Sequence, residues 1–296
     1  MDEPDWRADP DIQPPFEVIE PPRLLAPLVF DSPHSGSRYP AAFLAASRLD
    51  PLTLRRSEDA FVDELFRPCV ALGAPLLRAR FPRAFLDLNR EPFELDPRMF
   101  DGPLPDYVNA RSLRVAAGLG TIPRVVGDAQ PIYRGKVSAA DALARVAILH
   151  RPYHQRLAGL IERTRMRFGV AILIDCHSMP STLAEAGAID VVLGDRFGAS
   201  AAPWVVEALE SALVARGYRV RRNKPYAGGY IAEHYGAPAA GRHVVQVEVN
   251  RALYMDEARL TKLPNAAELA QALKAAAELL AARAVGQSGG GRWAAE

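Results

Sequence analysis

The run Ile172-Leu173-Ile174 ends in Asp175-Cys176-His177-Ser178, with Pro180 close behind, and this junction constrains the fold more than any other part of the chain. A short apolar run that gives way to an acid and a histidine reads as a buried strand presenting polar groups at its carboxyl end, as in α/β enzymes. The pattern recurs twice. Leu28-Val29-Phe30-Asp31 leads into Pro33-His34-Ser35-Gly36, and His243 to Val249 contains Glu248 and leads into Asn250-Arg251. Three strands therefore deliver His34, His177 and Glu248 to places where a metal and a carboxylate base could meet.

At 296 residues and 49% hydrophobic composition, the chain is long enough for a sizeable core, and we expect one large α/β domain. Residues 1–24 read as an irregular, proline-rich arm, residues 25–285 as the catalytic domain and residues 286–296 as a disordered tail. Strands are expected at Ala26–Asp31, Ala74–Ala79, Val170–Asp175, Ala188–Leu193, Tyr218–Arg222 and His243–Val249, with a short extended piece at Ala84–Leu88. Helical patterns fall at residues 57–72, from Ser138 past Arg151, at Pro203–Arg216, and from Pro264-Asn265 to about Val285. Ser138 with Asp141 has capping-box spacing, and Pro152 should bend or interrupt its helix. Strands alternating with helices predict a sandwich with a mixed, mainly parallel sheet.

The net charge of +1 supplies no general drive toward nucleic acid or membrane, and no apolar run approaches the roughly 20 residues of a bilayer span. The acidic, proline-rich start does not resemble a secretory signal, and two cysteines, Cys69 and Cys176, are too few for a disulfide framework. A cytoplasmic protein with a small-molecule substrate is expected; oligomeric state is not legible. Cys176 reads as a buried filler, because neighbours in an extended segment point to opposite faces, which argues against a Cys176-His177 nucleophilic pair.

A catalytic zinc needs about three protein ligands and an open position. His34 and His177 are candidates, and Asp175, two residues before His177, shares its face and could orient it. Glu58 and Asp59 are the acids available for a third ligand, and spacing alone also fits helix caps or solvated charges. Glu248, flanked by valines, could be a general base or a structural ion-pair member. His150 and His154 lack the glutamate of HExxH and read as packing or supporting groups. Asn89-Arg90, Arg134 in Tyr133-Arg134-Gly135, and Arg251 are candidate carboxylate or carbonyl partners. Gly228-Gly229 reads as a tight turn, with a pocket-lining loop as the alternative.

Together with Ser32-Pro33-His34-Ser35-Gly36, Tyr39-Pro40 and Asp59 with Val62-Asp63-Glu64-Leu65, the segments Asp87-Leu88-Asn89-Arg90, Pro131-Ile132-Tyr133, Tyr153-His154-Gln155-Arg156-Leu157, Asp175-Cys176-His177-Ser178-Met179 and Tyr254-Met255-Asp256-Glu257 resemble the N-formylglutamate amidohydrolase family. That family is related to zinc carboxypeptidase-like and aspartoacylase-like hydrolases. The resemblance implies a three-layer α/β sandwich of the zinc carboxypeptidase and phosphorylase-hydrolase type, and one Zn2+ held by His34, Asp59 and His177, with Glu58 in reserve. In the broader carboxypeptidase-like group the second ligand comes three residues after the first histidine; that position here is Ser37. The resemblance further implies Glu248 as the catalytic base, Arg90 as a second catalytic residue that stabilises developing oxyanion charge or anchors a carboxylate, Asn89 beside it at the substrate, Arg134 or Arg251 on the distal carboxylate, and Asp175 and His154 in support. The implied reaction releases formate and L-glutamate from N-formyl-L-glutamate. Another N-acyl amino acid or small peptide as substrate, nickel, cobalt or iron in place of zinc, and a non-catalytic binding protein are the competing expectations.

Overall fold

A computed structural model describes residues 6–183 and 189–288, and of Asp11, Asp128, Gln287 and Ser288 only the backbone. Seven strands form one sheet: β1 (Phe16–Ile19), β2 (Leu28–Ser32), β3 (Leu76–Ala79), β4 (Ala171–Met179), β5 (Val191–Gly194), β6 (Val220–Arg222) and β7 (Arg242–Asn250). Their spatial order is β1-β3-β2-β4-β7-β5-β6. The β2–β4, β4–β7 and β5–β6 pairings are parallel, and β7–β5 is antiparallel. The sheet is therefore mixed and mainly parallel, as expected.

The chain falls into two compact units. One comprises Met1–Glu17, Pro33–Ala60 and Arg78–Arg156, and the other Val18–Ser32, Phe61–Leu77 and Leu157–Glu296. Within the second unit, α1 (Val62–Phe66), α4 (Pro203–Val214) and α5 (Ala266–Ser288) pack on one face of the sheet. Phe30, Ile174, Leu193 and Val247 from the strands meet Phe66, Leu209, Leu213 and Leu273 from these helices. This face is wholly apolar at its centre, and its burial is the main driving force for ordering the unit. In the first unit, α2 (Ala139–Arg145) runs through a π-helical turn, Val146–His150, into α3 (Arg151–Phe168), most of which belongs to the second unit.

Several local expectations change. The strand through Ile174 does not stop at Asp175 but continues to Met179, because β7 pairs with it residue for residue as far as Asn250. Backbone pairing carries the polar residues along. The segment expected to be an irregular arm contains β1, which enters the sheet next to β3. Ala84–Leu88 is not extended: Phe85 and Leu86 donate backwards to Pro82, and Asp87 Oδ1 accepts from the Asn89 N–H, so local turns take the donors a strand would need. The helix expected over 57–72 is shorter, with a 3-10 stretch from Arg67 to Leu72 that opens just before Pro68. Ser138 does cap its helix, accepting from the Asp141 N–H, and Pro152 is accommodated by the π-helical turn before it rather than by a break. The final helix extends to Ser288, and the rest of the expected tail lies outside the described residues. No helix among the described residues is long and apolar enough to cross a membrane.

Candidate functional site

Strand alternation sorts the chemistry onto one side of the sheet. Phe30, Ile174, Cys176 and Val247 face the helices, so Asp31, Asp175, His177, Gln246 and Glu248 face the other way. Glu248 is the register partner of His177, and Gln246 that of Asp175. All four are buried. Asp175 Oδ1 lies 2.6 Å from His177 Nε2. Since the carboxylate accepts, the Nε2 carries the proton and Nδ1 presents a lone pair.

Glu248 is oriented by a neighbour that the sequence reading did not single out. Gln246 Oε1 accepts from the Gly229 N–H at 2.7 Å, which fixes the amide so that Nε2 donates to Glu248 Oε1, also at 2.7 Å. Gly228-Gly229, expected as a tight turn, is instead irregular backbone leading into the helix Tyr230–Tyr235, and its Gly229 N–H is what holds Gln246. The signal available in the sequence was the spacing of two along a strand. Just past the end of β7, Arg251 is buried and its Nε donates to Ser178 Oγ at 3.2 Å.

His34 follows β2 by two residues, and β2 aligns Asp31 with Asp175, so chain connectivity leaves little freedom in its placement. Its Nε2 lies 2.7 Å from Asp87 Oδ1 and its Nδ1 lies 3.4 Å from Asp59 Oδ2. Asp87 also receives Arg83 Nη2 at 2.8 Å. Burial alone would push the Asp87 carboxyl up, but Arg83, His34 and Arg90 outweigh it and hold the group well below the ordinary carboxylate range. An ionised Asp87 accepts the Nε2 proton of His34 and leaves Nδ1 facing Asp59. Asp87 was legible only as part of a motif; its contact with His34 spans 53 residues.

His34, Asp59 and His177 each present one ligand atom, and the three atoms lie within 4.8 Å of one another. Glu58 turns elsewhere: its carboxylate takes Arg55 Nε at 3.2 Å and the Tyr39 hydroxyl at 2.7 Å. Two imidazoles backed by carboxylates, with a third carboxylate between them in sequence, form a donor set that can coordinate a divalent metal.

The remaining candidates are placed as follows. Asn89 donates its N–H to Asp87, and Arg90 donates Nε to the Leu119 carbonyl at 2.9 Å and Nη1 to the Asn89 carbonyl at 2.8 Å. His154 Nε2 meets the Leu88 carbonyl and His150 Nε2 the Arg90 carbonyl, each at 2.9 Å. Arg134 donates Nε to the Ser47 carbonyl at 2.8 Å and lines a groove with Tyr133, Lys136 and Arg145. The described residues lining that groove include none of His34, Asp59, His177 or Glu248. Cys176 is fully buried on the helix-facing side, and burial holds its thiol well above its ordinary value, which removes it as a nucleophile beside His177.

A profile of the N-formylglutamate amidohydrolase family matches residues 26–255. The chain belongs to this family. Among its relatives, the N-formylglutamate deformylase of Pseudomonas aeruginosa is 32% identical over 247 residues, covering 81% of this chain and 86% of the relative. That of Pseudomonas putida is 30% identical over 237 residues, covering 78% and 82%. The crystal structure of an N-formylglutamate amidohydrolase from Ralstonia eutropha superposes with a TM-score of 0.85 at 36% identity, covering 91% of this chain and 98% of that one. A gene product of Agrobacterium tumefaciens shares the fold, with a TM-score of 0.66 at 18% identity and coverage of 92% and 94%.

Proposed function

We propose that this chain is a metal-dependent amidohydrolase that cleaves the amide bond of N-formyl-L-glutamate to formate and L-glutamate. The observation that carries the reading is the buried convergence of His34, Asp59 and His177 in a member of this family, beside a buried glutamate. Zinc is the ion that best suits a donor set of two imidazole nitrogens and one carboxylate. When bound, the ion supplies Lewis acidity, polarising a carbonyl oxygen and making water easier to deprotonate.

The protein's own groups supply the rest. Asp87 and Asp175 hold the two imidazoles in the tautomer that faces inward. Glu248 takes the proton of the attacking water and returns it to the departing amide nitrogen, with its carboxylate aimed by Gln246. Arg251, buried at the end of β7, is assigned to a substrate carboxylate, and Asn89 and Arg90 to the carbonyl or the second carboxylate. Arg134 is the alternative partner for the distal carboxylate, reached from the groove it lines. The apolar helix-covered face and the polar opposite face are read as belonging to a three-layer sandwich of the zinc-carboxypeptidase-like kind.

The test is release of the free amino acid measured across N-formyl-L-glutamate, N-formyl-L-aspartate, N-formyl-L-glutamine and N-acetyl-L-glutamate. The proposal expects the first to have the highest kcat/KM, by 10-fold or more on the order of one lost charged contact. Preference for the acetyl compound would redirect the assignment to a general N-acyl amino acid deacylase.

A further inference from the structure

His150 and His154, read from the sequence as packing or supporting groups, are both buried and both meet one short segment. Their rings pack against each other with centroids 4.2 Å apart. A carbonyl oxygen can only accept, so each Nε2 that meets one must carry a proton. His154 donates to the Leu88 carbonyl and His150 to the Arg90 carbonyl. Between these two anchors, Asn89 gives its N–H to Asp87, and its carbonyl accepts from Arg90 Nη1. Every peptide group from Leu88 to Arg90 is thus tied on at least one side. This segment follows directly on Asp87, the carboxylate that holds His34, and ends with a partly buried guanidinium.

The helix is shaped to supply this pair. Val146–His150 is a π-helical turn in which the Arg151 N–H reaches back to the Val146 carbonyl, and Pro152 follows immediately. Proline has no N–H and its ring would crowd the carbonyl four residues earlier, so a widened turn is the local answer. It leaves His150 and His154, one on each side of Pro152, presented to the same segment.

We propose that His150 and His154 are positioning residues for the hydrolytic site: His154 fixes the Leu88 carbonyl and through it the Asp87 carboxylate on His34, and His150 fixes the Arg90 carbonyl and through it the Arg90 guanidinium. The division between them rests on the metal-dependent reading above. His154 governs metal affinity, and His150 governs the substrate.

The test compares leucine and glutamine at each position. A glutamine side-chain amide can place an N–H near the position of Nε2, whereas leucine fills space without donating. In metal-free protein labelled with 15N, the His34 Nε2–H proton held by Asp87 should give a downfield resonance that His154→Leu shifts and His154→Gln leaves in place. The zinc dissociation constant should rise about 10- to 100-fold in His154→Leu and recover to within about 3-fold in His154→Gln. His150→Leu should raise KM for N-formyl-L-glutamate about 10-fold with zinc affinity unchanged, and His150→Gln should restore it. Identical behaviour of leucine and glutamine, at either position, would reduce that histidine to packing and overturn its assignment. If a leucine variant does not fold, its glutamine counterpart decides: values near wild type support the inference, and a tenfold loss overturns it. A wild-type protein that releases no formate from N-formyl-L-glutamate would refute the assigned reaction, while the His34 resonance and the zinc constant would still decide the role of His154.

Discussion

Glu248 lies directly across the parallel β4–β7 pairing from His177. Neighbouring strands are about 4.8 Å apart, so this register brings a carboxylate beside a candidate metal ligand through backbone hydrogen bonds alone. Both residues are buried, and each has an aligned helper two residues earlier, Asp175 for His177 and Gln246 for Glu248.

The general-base role proposed for Glu248 predicts a clean separation of binding from turnover. Glu248→Gln is nearly isosteric and should retain bound metal while kcat falls by about 10²- to 10⁴-fold. Elemental analysis and steady-state kinetics on the same preparation check both halves; a kcat within a fewfold of wild type would remove Glu248 from the proton transfer.

Gln246 predicts a combined effect on stability and rate. Gln246→Leu leaves the Gly229 N–H without its acceptor in a buried setting, which should cost about 1–3 kcal/mol of stability. It also releases Glu248, so kcat should fall with little change in metal content. Urea denaturation monitored by fluorescence, alongside kinetics, measures the two effects.

Gly36 predicts a steric limit in the turn after His34. A Cβ placed there would lie 2.1 Å from the Phe81 carbonyl oxygen, against backbone that cannot swing aside. Gly36→Ala should destabilise the protein by about 1–3 kcal/mol or more, as overpacking does, and weaken metal binding by displacing His34. Thermal unfolding and a zinc titration give the two readings.

Asp87 predicts part of the acid limb. Its folded carboxyl is depressed, so its contribution to stability is complete above the unfolded value of about 3.9 and is lost as pH falls through that value toward the lower folded one. With chelator present throughout, the unfolding free energy of Asp87→Asn should depend less steeply on pH below about 4 than that of wild type. Equal slopes would show that Asp87 is not held ionised in the folded state.

Both cysteines should resist thiol reagents. Burial pushes the Cys69 thiol up to about 12 and the Cys176 thiol well above its ordinary value, so little thiolate forms at pH 8. Labelling of the native protein should proceed only at the rate of unfolding, and fast stoichiometric modification of Cys176 would contradict its placement.

Much of this site was readable because its determinants are local. Apolar runs closed by polar residues located β2, β4 and β7, and the period of two along a strand separated Cys176 from His177 and joined His177 to Asp175. Register is a different matter. That Glu248 faces His177 depends on which strands are neighbours, and spacing along one chain carries no such information. The same holds for Asp87, whose segment looked extended until Pro82 and Asn89 proved to fold it into turns. Glu58 and Asp59 are equivalent by spacing; in space Asp59 lies 3.4 Å from His34 Nδ1, while Arg55 and Tyr39 hold Glu58. Arg134, a candidate carboxylate clamp beside tyrosine and glycine, donates to the Ser47 carbonyl and lines a groove with Tyr133 and Arg145, and spacing along the chain carries no sign of that partner.

The most direct measurement is metal content against formate release for untagged wild-type protein and His177→Ala, before and after chelation. The account predicts close to one zinc per wild-type chain, chelator-sensitive formate release from N-formyl-L-glutamate that returns with added zinc, and loss of both metal and activity in the variant. Full formate release from thoroughly chelated wild type, or from metal-free His177→Ala, would contradict it.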